Sequence, residues 1–399
     1  MRKTLLLLFL VLSLNASSQS WHPKADFPDC QSDGVTFAIG IDVYFGLGVL
    51  CNGIETTNFY KFNTSSNTWS AIATFPGPTR RKASSFVING KGYVCLGLSN
   101  NSPLNDLWQY DPGNNSWIVK TSFPGVGREA AIAEVINNKA YVGTGFSPSS
   151  GYPMDMFAYN PIANNWTFKM PMPGTALFAA QSFAIGDTMY VVGGIGGNLL
   201  LEQNEFWAYS ASANSWIQKP DFPGGLPRLF GTSFSLNGFG YYGFGKNGSN
   251  FIGDFYSYNP ASGLWTTVPS IGIHLLFNDG GGGAATSTAG YCISGVTYNN
   301  QSPPGTAVWE FLPAVGIDEQ SYTNDKILIA PNPANEYFEI KSAFTGDFIL
   351  VNSLGQTMQK LVLKSNEVYR FDASSLKAGT YIIKSVTSPS LIRRITILK

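Results

Sequence analysis

Arginine recurs at one position of an internal repeat, thirteen residues before a tyrosine, as Arg80, Arg128 and Arg228. Arg81 directly follows the first of them. A guanidinium group offers a rigid fork of donors that suits carboxylates and other oxyanions. The pattern therefore predicts a site for a carboxylate, sulfate or acidic peptide, with these four arginines as ligand-binding residues. The alternative is that the recurring arginine belongs to the repeat itself and ties neighbouring units together by hydrogen bonds.

A glutamate interrupts a column of aromatic residues seven positions before the same tyrosines. The column holds Phe37, Phe86, Phe183 and Phe234, with Ala284 in the sixth unit, and Glu134 stands in their place in the third unit. A carboxylate in such a position is either paired with a base or has a raised pKa. Glu134 is therefore the one candidate for a catalytic general base. The alternative is a one-residue slip that places Val135 in the column.

Two of the four cysteines lie at almost equal distances from a predicted hairpin turn at residues 40–42. Cys30 precedes the turn and Cys51 follows it, so the two are nearly opposite in an antiparallel pair. This position brings their Cβ atoms within reach of a bridge and predicts a Cys30–Cys51 disulfide. Cys95 and Cys292 are expected to be buried free thiols. The alternative is that all four cysteines are reduced.

The elements that position these residues follow from a period of 48 to 50 residues. Such a period is typical of propellers and solenoids. Tyrosine recurs once in each of six units and is always followed four residues later by glycine. Each unit reads as four short strands, and the innermost strand begins with Gly or Ala. Strands that converge on a common axis leave little room for large side chains at the centre. The repeated tyrosines are Tyr44, Tyr93, Tyr141, Tyr190, Tyr241 and Tyr291, and the repeated tryptophans are Trp21, Trp69, Trp117, Trp166, Trp216 and Trp265.

The stretch from Asp106 to Trp117, Asp-Leu-Trp-Gln-Tyr-Asp-Pro-Gly-Asn-Asn-Ser-Trp, resembles the kelch repeat in its bacterial form. The resemblance covers about 290 residues and implies a six-bladed β-propeller over residues 19–313. The double glycine of the family is kept only at Gly193-Gly194. Phe311 has no tryptophan seven residues later and Trp21 has no aromatic before it. Residues 21–27 are therefore predicted to supply the outer strand of blade six, which closes the ring and removes an exposed edge.

The residues predict no metal and no cofactor. The chain has two histidines, His22 and His274, expected on the outer and inner strands of one blade and too far apart to share a metal. The glycines from Gly280 to Gly283 lack the Lys-Ser/Thr of a phosphate loop and are expected in a crowded inner strand. These observations favour a non-catalytic protein and leave catalysis open as an alternative.

Composition and the chain termini predict export. The formal net charge is zero, which argues against nucleic acid as a partner. Residues 1–18 have the basic start, apolar run and small-residue end of a cleaved signal peptide. That apolar run is too short to cross a bilayer, so no transmembrane segment is predicted.

After Pro313 the period stops, and residues 314–325 read as a linker. Residues 326–399 follow as seven short strands with the spacing of a small immunoglobulin-like β-sandwich. Pro331-Asn332-Pro333-Ala334, the turn at 352–355 and the stretch from Leu376 to Ile383 together resemble the C-terminal sorting domain of Bacteroidetes type IX secretion. The resemblance implies that residues 326–399 engage the type IX machinery. An accessory module without a sorting role is the alternative.

The combined pattern predicts an all-β protein exported through the periplasm to the cell surface or the medium. Variable loops on one face of a rigid propeller are the usual layout of a binding surface. The function expected is non-catalytic recognition of an extracellular glycan or protein through that face. One alternative is a carbohydrate-active enzyme, an epimerase or lyase, that holds an acidic sugar with Arg80, Arg128 and Arg228 and uses Glu134 as base. A second alternative is a structural adhesin.

Overall fold

The computed structural model describes residues 19–175, 177–196, 201–271, 282–293, 306–313, 327–330, 334, 336–352, 356–387 and 392–397. The chain divides into two compact units, Met1–Gly316 and Ile317–Lys399. Every regular element in the described ranges is a β-strand. Within these ranges there is no helix long and apolar enough to cross a membrane.

Six four-stranded antiparallel sheets form the blades of the first unit. From the inside outward, the strands of blade one are Val35–Ile39, Asp42–Gly46, Phe59–Asn63 and Thr68–Ala71. Those of blade two are Ser84–Ile88, Lys91–Cys95, Leu107–Asp111 and Ser116–Lys120. Those of blade three are Ile132–Ile136, Lys139–Gly143, Met156–Asn160 and Asn165–Lys169. Those of blade four are Gln181–Ile185, Thr188–Val192, Phe206–Ser210 and Ser215–Lys219. Those of blade five are Thr232–Leu236, Phe239–Gly243, Phe255–Asn259 and Leu264–Val268. Those of blade six are Gly282–Ala285, Gly290–Ile293, Val308–Leu312 and Ser20–Pro23.

The first strand of the chain lies in the last blade. Ser20–Pro23 pairs with Val308–Leu312, and Trp21 stands opposite Phe311. The strand ends at Pro23, and Lys24 and Phe27 continue the contact through backbone hydrogen bonds to Val308 and Thr306. The six inner strands contact one another in ring order, with blade one against blade six, around a central channel. The fold therefore joins both ends of the repeat array in one sheet.

Five tryptophans of the repeated column each connect a blade to the one before it, whereas the indole nitrogen of Trp265 is buried without a hydrogen-bond partner among the described residues. Trp117 packs against Tyr110 at 5.0 Å between ring centroids, and its indole N–H donates to the carbonyl of Ala73 in the preceding segment at 3.0 Å. Trp69, Trp166, Trp216 and Trp21 make the equivalent bond to Ala25, Thr121, Met170 and Pro269. The repeated tryptophan therefore ties adjacent blades together at five of the six blade boundaries.

Short ladders stand on the face where the chain leads into each inner strand. We call this the loop face; it consists of these segments and of the described loop residues after the second strands of blades one to five, which are residues 49–57, 98–105, 146–154, 195–196, 201–204 and 246–253. Its ladders pair Gln31–Ser32 with Val49–Leu50, Leu98–Ser99 with Ser102–Pro103, Leu177–Phe178 with Ile195–Gly196 and in turn Leu201–Glu202, and Lys246–Asn247 with Asn250–Phe251.

The second unit has two antiparallel sheets. The first contains Ile327–Ala330, Tyr337–Ser342 and Val368–Asp372, and the second contains Gly346–Asn352, Thr357–Leu363, Gly379–Ser385 and Ile392–Ile397. Phe338 and Phe371 of the first sheet and Leu350 and Ile383 of the second belong to one buried cluster. The two sheets therefore share a core, while the immunoglobulin-like classification stays a prediction.

Candidate functional site

A cavity of about 440 Å³ occupies the central channel and is lined by all six inner strands. Small ligand pockets typically range from about 300 to 1,000 Å³. The described lining contains three titratable side chains, Asp33, Lys82 and Glu134. Arg80, Arg81, Arg128 and Arg228 are not part of this lining. The channel is thus a ligand-sized cavity with few charges.

A ring of left-handed residues surrounds the opening of the cavity on the loop face. Asp33, Lys82, Ala130, Ala179 and Phe230 stand eleven residues before the repeated tyrosines, with φ between 50° and 57°. We call these five residues the mouth ring. The amide of Lys82 donates to the carbonyl of Asp33, that of Ala130 to Lys82 and that of Phe230 to Ala179, at 2.8 to 3.1 Å. These bonds run from blade to blade and brace a strained backbone conformation.

Aromatic side chains and two lysines cluster beside the mouth ring. Phe178 lies 5.5 Å from Phe230 and 6.0 Å from Phe146 between ring centroids. The Lys82 ammonium lies 5.4 Å from the Phe178 ring and 5.1 Å from that of Phe230, and the Lys246 ammonium lies 5.4 Å from the latter. Lys82 also lies 3.7 Å from Glu129. Tyr152 extends this aromatic cluster beyond Phe146, at 5.1 Å. The sequence prediction did not include the cluster.

The three repeated arginines are fully buried, with no exposed side-chain surface. Arg80 donates from Nη1 and Nη2 to both carboxylate oxygens of Asp106, at 2.6 and 2.7 Å, and from Nη1 to the Leu96 carbonyl. Its guanidinium lies 4.8 Å from the Phe75 ring. Arg128 and Arg228 repeat the arrangement with Asp155 and Asp254 and with the rings of Phe123 and Phe222.

The backbone of the same arginines connects adjacent blades. The carbonyls of Arg80, Arg128 and Arg228 accept hydrogen bonds from Gly48, Gly97 and Gly194 of the preceding blades, at 2.7 to 2.8 Å. This geometry favours the structural role weighed for the arginines over the ligand-binding role, because their donors are used within the fold. A ligand-binding role stays a prediction for Arg81, whose partly exposed side chain donates to Glu55 and Asn101 on the loop face.

Glu134 pairs with Tyr141 in the sheet, as Phe86 pairs with Tyr93 in blade two. The alternative of a one-residue slip toward Val135 is therefore wrong, and the glutamate occupies the aromatic column. Its carboxylate accepts a hydrogen bond from the Ser182 hydroxyl of blade four at 2.9 Å. Burial raises the pKa of Glu134 to about 7, and the bond from Ser182 opposes this shift.

Cys30 and Cys51 are joined by a disulfide, with 5.5 Å between their Cα atoms. Cys95 and Cys292 are buried free thiols. His22 bonds to Ser20, and His274 lies outside the described residues. Gly282 and Gly283 lie in the inner strand of blade six. Within the described part of the chain, no group of three or more His, Cys, Asp or Glu is placed to hold a metal ion.

Comparisons with known proteins agree with this architecture. Residues 11–194 match the family described as KLHDC2/KLHL20/DRC7 Kelch-repeats domain, and residues 328–398 match the Secretion system C-terminal sorting domain. A solved structure titled "Structure of YjhT" superposes with a TM-score of 0.60 at 19% identity, over 72% of this chain and 95% of that chain. This likeness shows the fold alone.

Curated relatives match a short part of the chain. Proteins named N-acetylneuraminate epimerase from Shigella flexneri and from Escherichia coli O1:K1 / APEC are 35% identical over 105 residues. The match covers 26% of this chain and 26% of each relative, so the chain spans about a quarter of their length. The fold and the family matches define a kelch-type β-propeller. The chain is a kelch-repeat protein that carries a C-terminal sorting domain of type IX secretion.

Proposed function

We propose that this protein is a non-catalytic recognition protein that binds an extracellular glycan or protein at the opening of its channel on the loop face. The observation that carries the proposal is the aromatic cluster that Phe146, Tyr152 and Phe178 form with Phe230 of the mouth ring, at the opening of a cavity of about 440 Å³. Aromatic rings present large contact areas at low entropic cost and are common anchors of recognition sites.

The sorting domain supports delivery of this surface to the outside of the cell. The family match over residues 328–398 implies that the chain is cargo of type IX secretion. Release into the medium and retention at the cell surface both agree with a recognition function. Deletion of residues 326–399 is expected to keep the propeller inside the outer membrane, and fractionation of cells that express both forms tests this. Equal amounts of both forms outside the cell would contradict the export proposal.

A glycan array probed with the chain from residue 19 onward tests the recognition proposal. We expect binding to a defined set of glycans, weakened at least tenfold by Phe178→Ala. Ile217→Ala is the matched control, because Ile217 is an exposed apolar residue on the outer strand of blade four, away from the loop face. Binding unaffected by Phe178→Ala would contradict the assignment to this surface.

A second candidate function is a carbohydrate-active enzyme of the sugar epimerase type. Two observations favour it: Glu134 lines the channel with a pKa raised to about 7, and the chain is similar over 105 residues to proteins named N-acetylneuraminate epimerase. A pKa near neutrality suits a general base. The buried pairing of Arg80, Arg128 and Arg228 removes the groups expected to hold an acidic substrate. Epimerisation of N-acetylneuraminate, followed by proton NMR, measures the activity directly.

A further inference from the structure

Glu134 is the only titratable side chain on the described parts of the six inner strands. It retains access to the channel cavity, and its hydrogen-bond partner across the blade boundary is Ser182. The Ser182 hydroxyl donates to one carboxylate oxygen, Oε1. The other oxygen and the lone pairs of the serine hydroxyl are acceptors for further donors. Blades three and four thus place several hydrogen-bonding groups on one side of the cavity.

Packing does not require a carboxylate at this position. In blades one, two, four and five, the phenylalanine of the column packs on a small residue of the next blade: Gly92, Ala140, Gly240 and Gly290. Beside Glu134 the corresponding residue is Met189, which is fully buried with Ile132 and Ile136. The methionine fills the volume that a phenylalanine fills elsewhere. Glu134 thus breaks the apolar pattern of the repeat, while Met189 restores the packing volume. Such a break in the pattern is expected at functional positions.

We propose that Glu134 and Ser182 form a subsite in the channel that binds an uncharged sugar residue through its hydroxyl groups. This inference rests on the proposed recognition function and names its ligand class. A carboxylate accepts hydrogen bonds from two neighbouring hydroxyls of a sugar, and the Ser182 hydroxyl beside it accepts a further one. The cavity volume suits a small ligand, and the aromatic cluster stands at the opening through which a glycan chain would continue.

The charge of the site selects against acidic sugars. Two carboxylates brought together in a low-dielectric cavity repel each other strongly. The arginines that would compensate a second negative charge are buried in pairs with Asp106, Asp155 and Asp254. Asp33 and Lys82, the other titratable groups of the described lining, have opposite charges and belong to the mouth ring. The subsite therefore favours a neutral hexose over the corresponding uronic acid.

The test measures binding of methyl glucoside, methyl galactoside, methyl N-acetylglucosaminide and the glucuronide matched to the first, by NMR titration at pH 8. The protein is the chain from residue 19 onward. We expect the glucoside to bind, with the other two neutral glycosides as comparisons, and the glucuronide to bind at least tenfold more weakly than the glucoside. Glu134→Gln should abolish this discrimination, and Ser182→Ala should weaken neutral sugar binding at least tenfold. Ser85→Ala is the control, because it removes a hydroxyl from the same column in blade two.

A second variant removes the carboxylate while it keeps the packing of the repeat. Glu134→Phe with Met189→Ala copies the Phe86 and Ala140 pair, so we expect a melting temperature no lower than that of the parent and no sugar binding. Retained binding in this variant, or equal affinity for glucoside and glucuronide in the parent, would overturn the subsite. If Phe178→Ala weakens a glycan that the Glu134 variants still bind, the recognition proposal stands and the subsite fails. If no sugar binds and the array is negative, both fail.

Discussion

Arg80 and Asp106 form a two-pronged ion pair between the segment that leads into blade two and the residue just before the third strand of that blade. The arginine is fully buried, and the aspartate side chain retains 23% of its accessible surface. In blades without the arginine, the aspartate is replaced as well. The equivalent residues are Gln31 and Asn58 in blade one and Leu177 and Glu205 in blade four. The pair is thus a structural part of three of the six repeats.

Substitution of Asp106 by Asn is expected to destabilise the propeller by about 2–4 kcal/mol, since it leaves a buried guanidinium without its counter-charge. Urea denaturation followed by tryptophan fluorescence measures the change. The control is Lys61→Gln, which removes a more exposed ammonium 3.5 Å from Asp42 and should cost less than about 1 kcal/mol. Equal stability of the Asp106 variant and the parent would contradict the structural role.

A comparison of Gly97, a member of the repeated glycine column, with Gly90 tests how much the column contributes to stability. Both have positive φ, but a Cβ atom at Gly97 would lie 2.8 Å from the Arg81 carbonyl oxygen, whereas Gly90 has no neighbour within 4 Å. Gly90→Ala should therefore cost only the backbone term of about 1–2 kcal/mol. Gly97→Ala should cost clearly more, because the backbone of the adjoining segment must move. The same denaturation experiment compares them, and a smaller effect at Gly97 would show that this crowding is not significant.

Glu134 is expected to make the stability of the propeller pH-dependent. Its pKa is raised from 4.5 to about 7 by burial, so the folded state holds a proton that the unfolded state releases. Its contribution to stability is complete below pH 4.5 and is lost as the pH rises through 7. Between pH 5 and pH 8 the parent should lose on the order of 2 kcal/mol relative to Glu134→Gln. Melting curves of both proteins across this pH range measure the difference. If the stability of both proteins changes in parallel with pH, Glu134 does not have a raised pKa in the folded state.

The Cys30–Cys51 bond should be present in the exported protein. Alkylation in denaturant without reduction is expected to modify two thiols, Cys95 and Cys292, and alkylation after reduction to modify all four cysteines. Intact-mass measurement counts the adducts. Cys30→Ser with Cys51→Ser should lower the free energy of unfolding by about 3 kcal/mol on the chain-entropy estimate. Four adducts before reduction would contradict the disulfide in the exported protein.

The sequence by itself determined the architecture. The tyrosine, glycine and tryptophan columns predicted a kelch-type propeller, and this prediction is confirmed. The periodicity is readable because the units repeat similar contacts, such as the tryptophan N–H that bonds to the preceding blade in five of the six units. The motifs from Pro331 to Ile383 predicted the sorting domain, which the family match confirms.

Only the tertiary structure decided which polar residues are used within the fold. Arg80 and Asp106 are 26 positions apart, and a column of arginines looks the same whether its members face a ligand or a buried aspartate. The sequence did contain one indication of the buried pair, because repeats that lack the arginine also lack the aspartate. The surroundings of Glu134 depended in the same way on the next blade, whose Ser182 donates a hydrogen bond to it. The mouth ring depended on a left-handed backbone at residues as different as Lys82 and Phe230. Local patterns predict strands because side-chain alternation is local, whereas charge pairing and burial depend on contacts between distant blades.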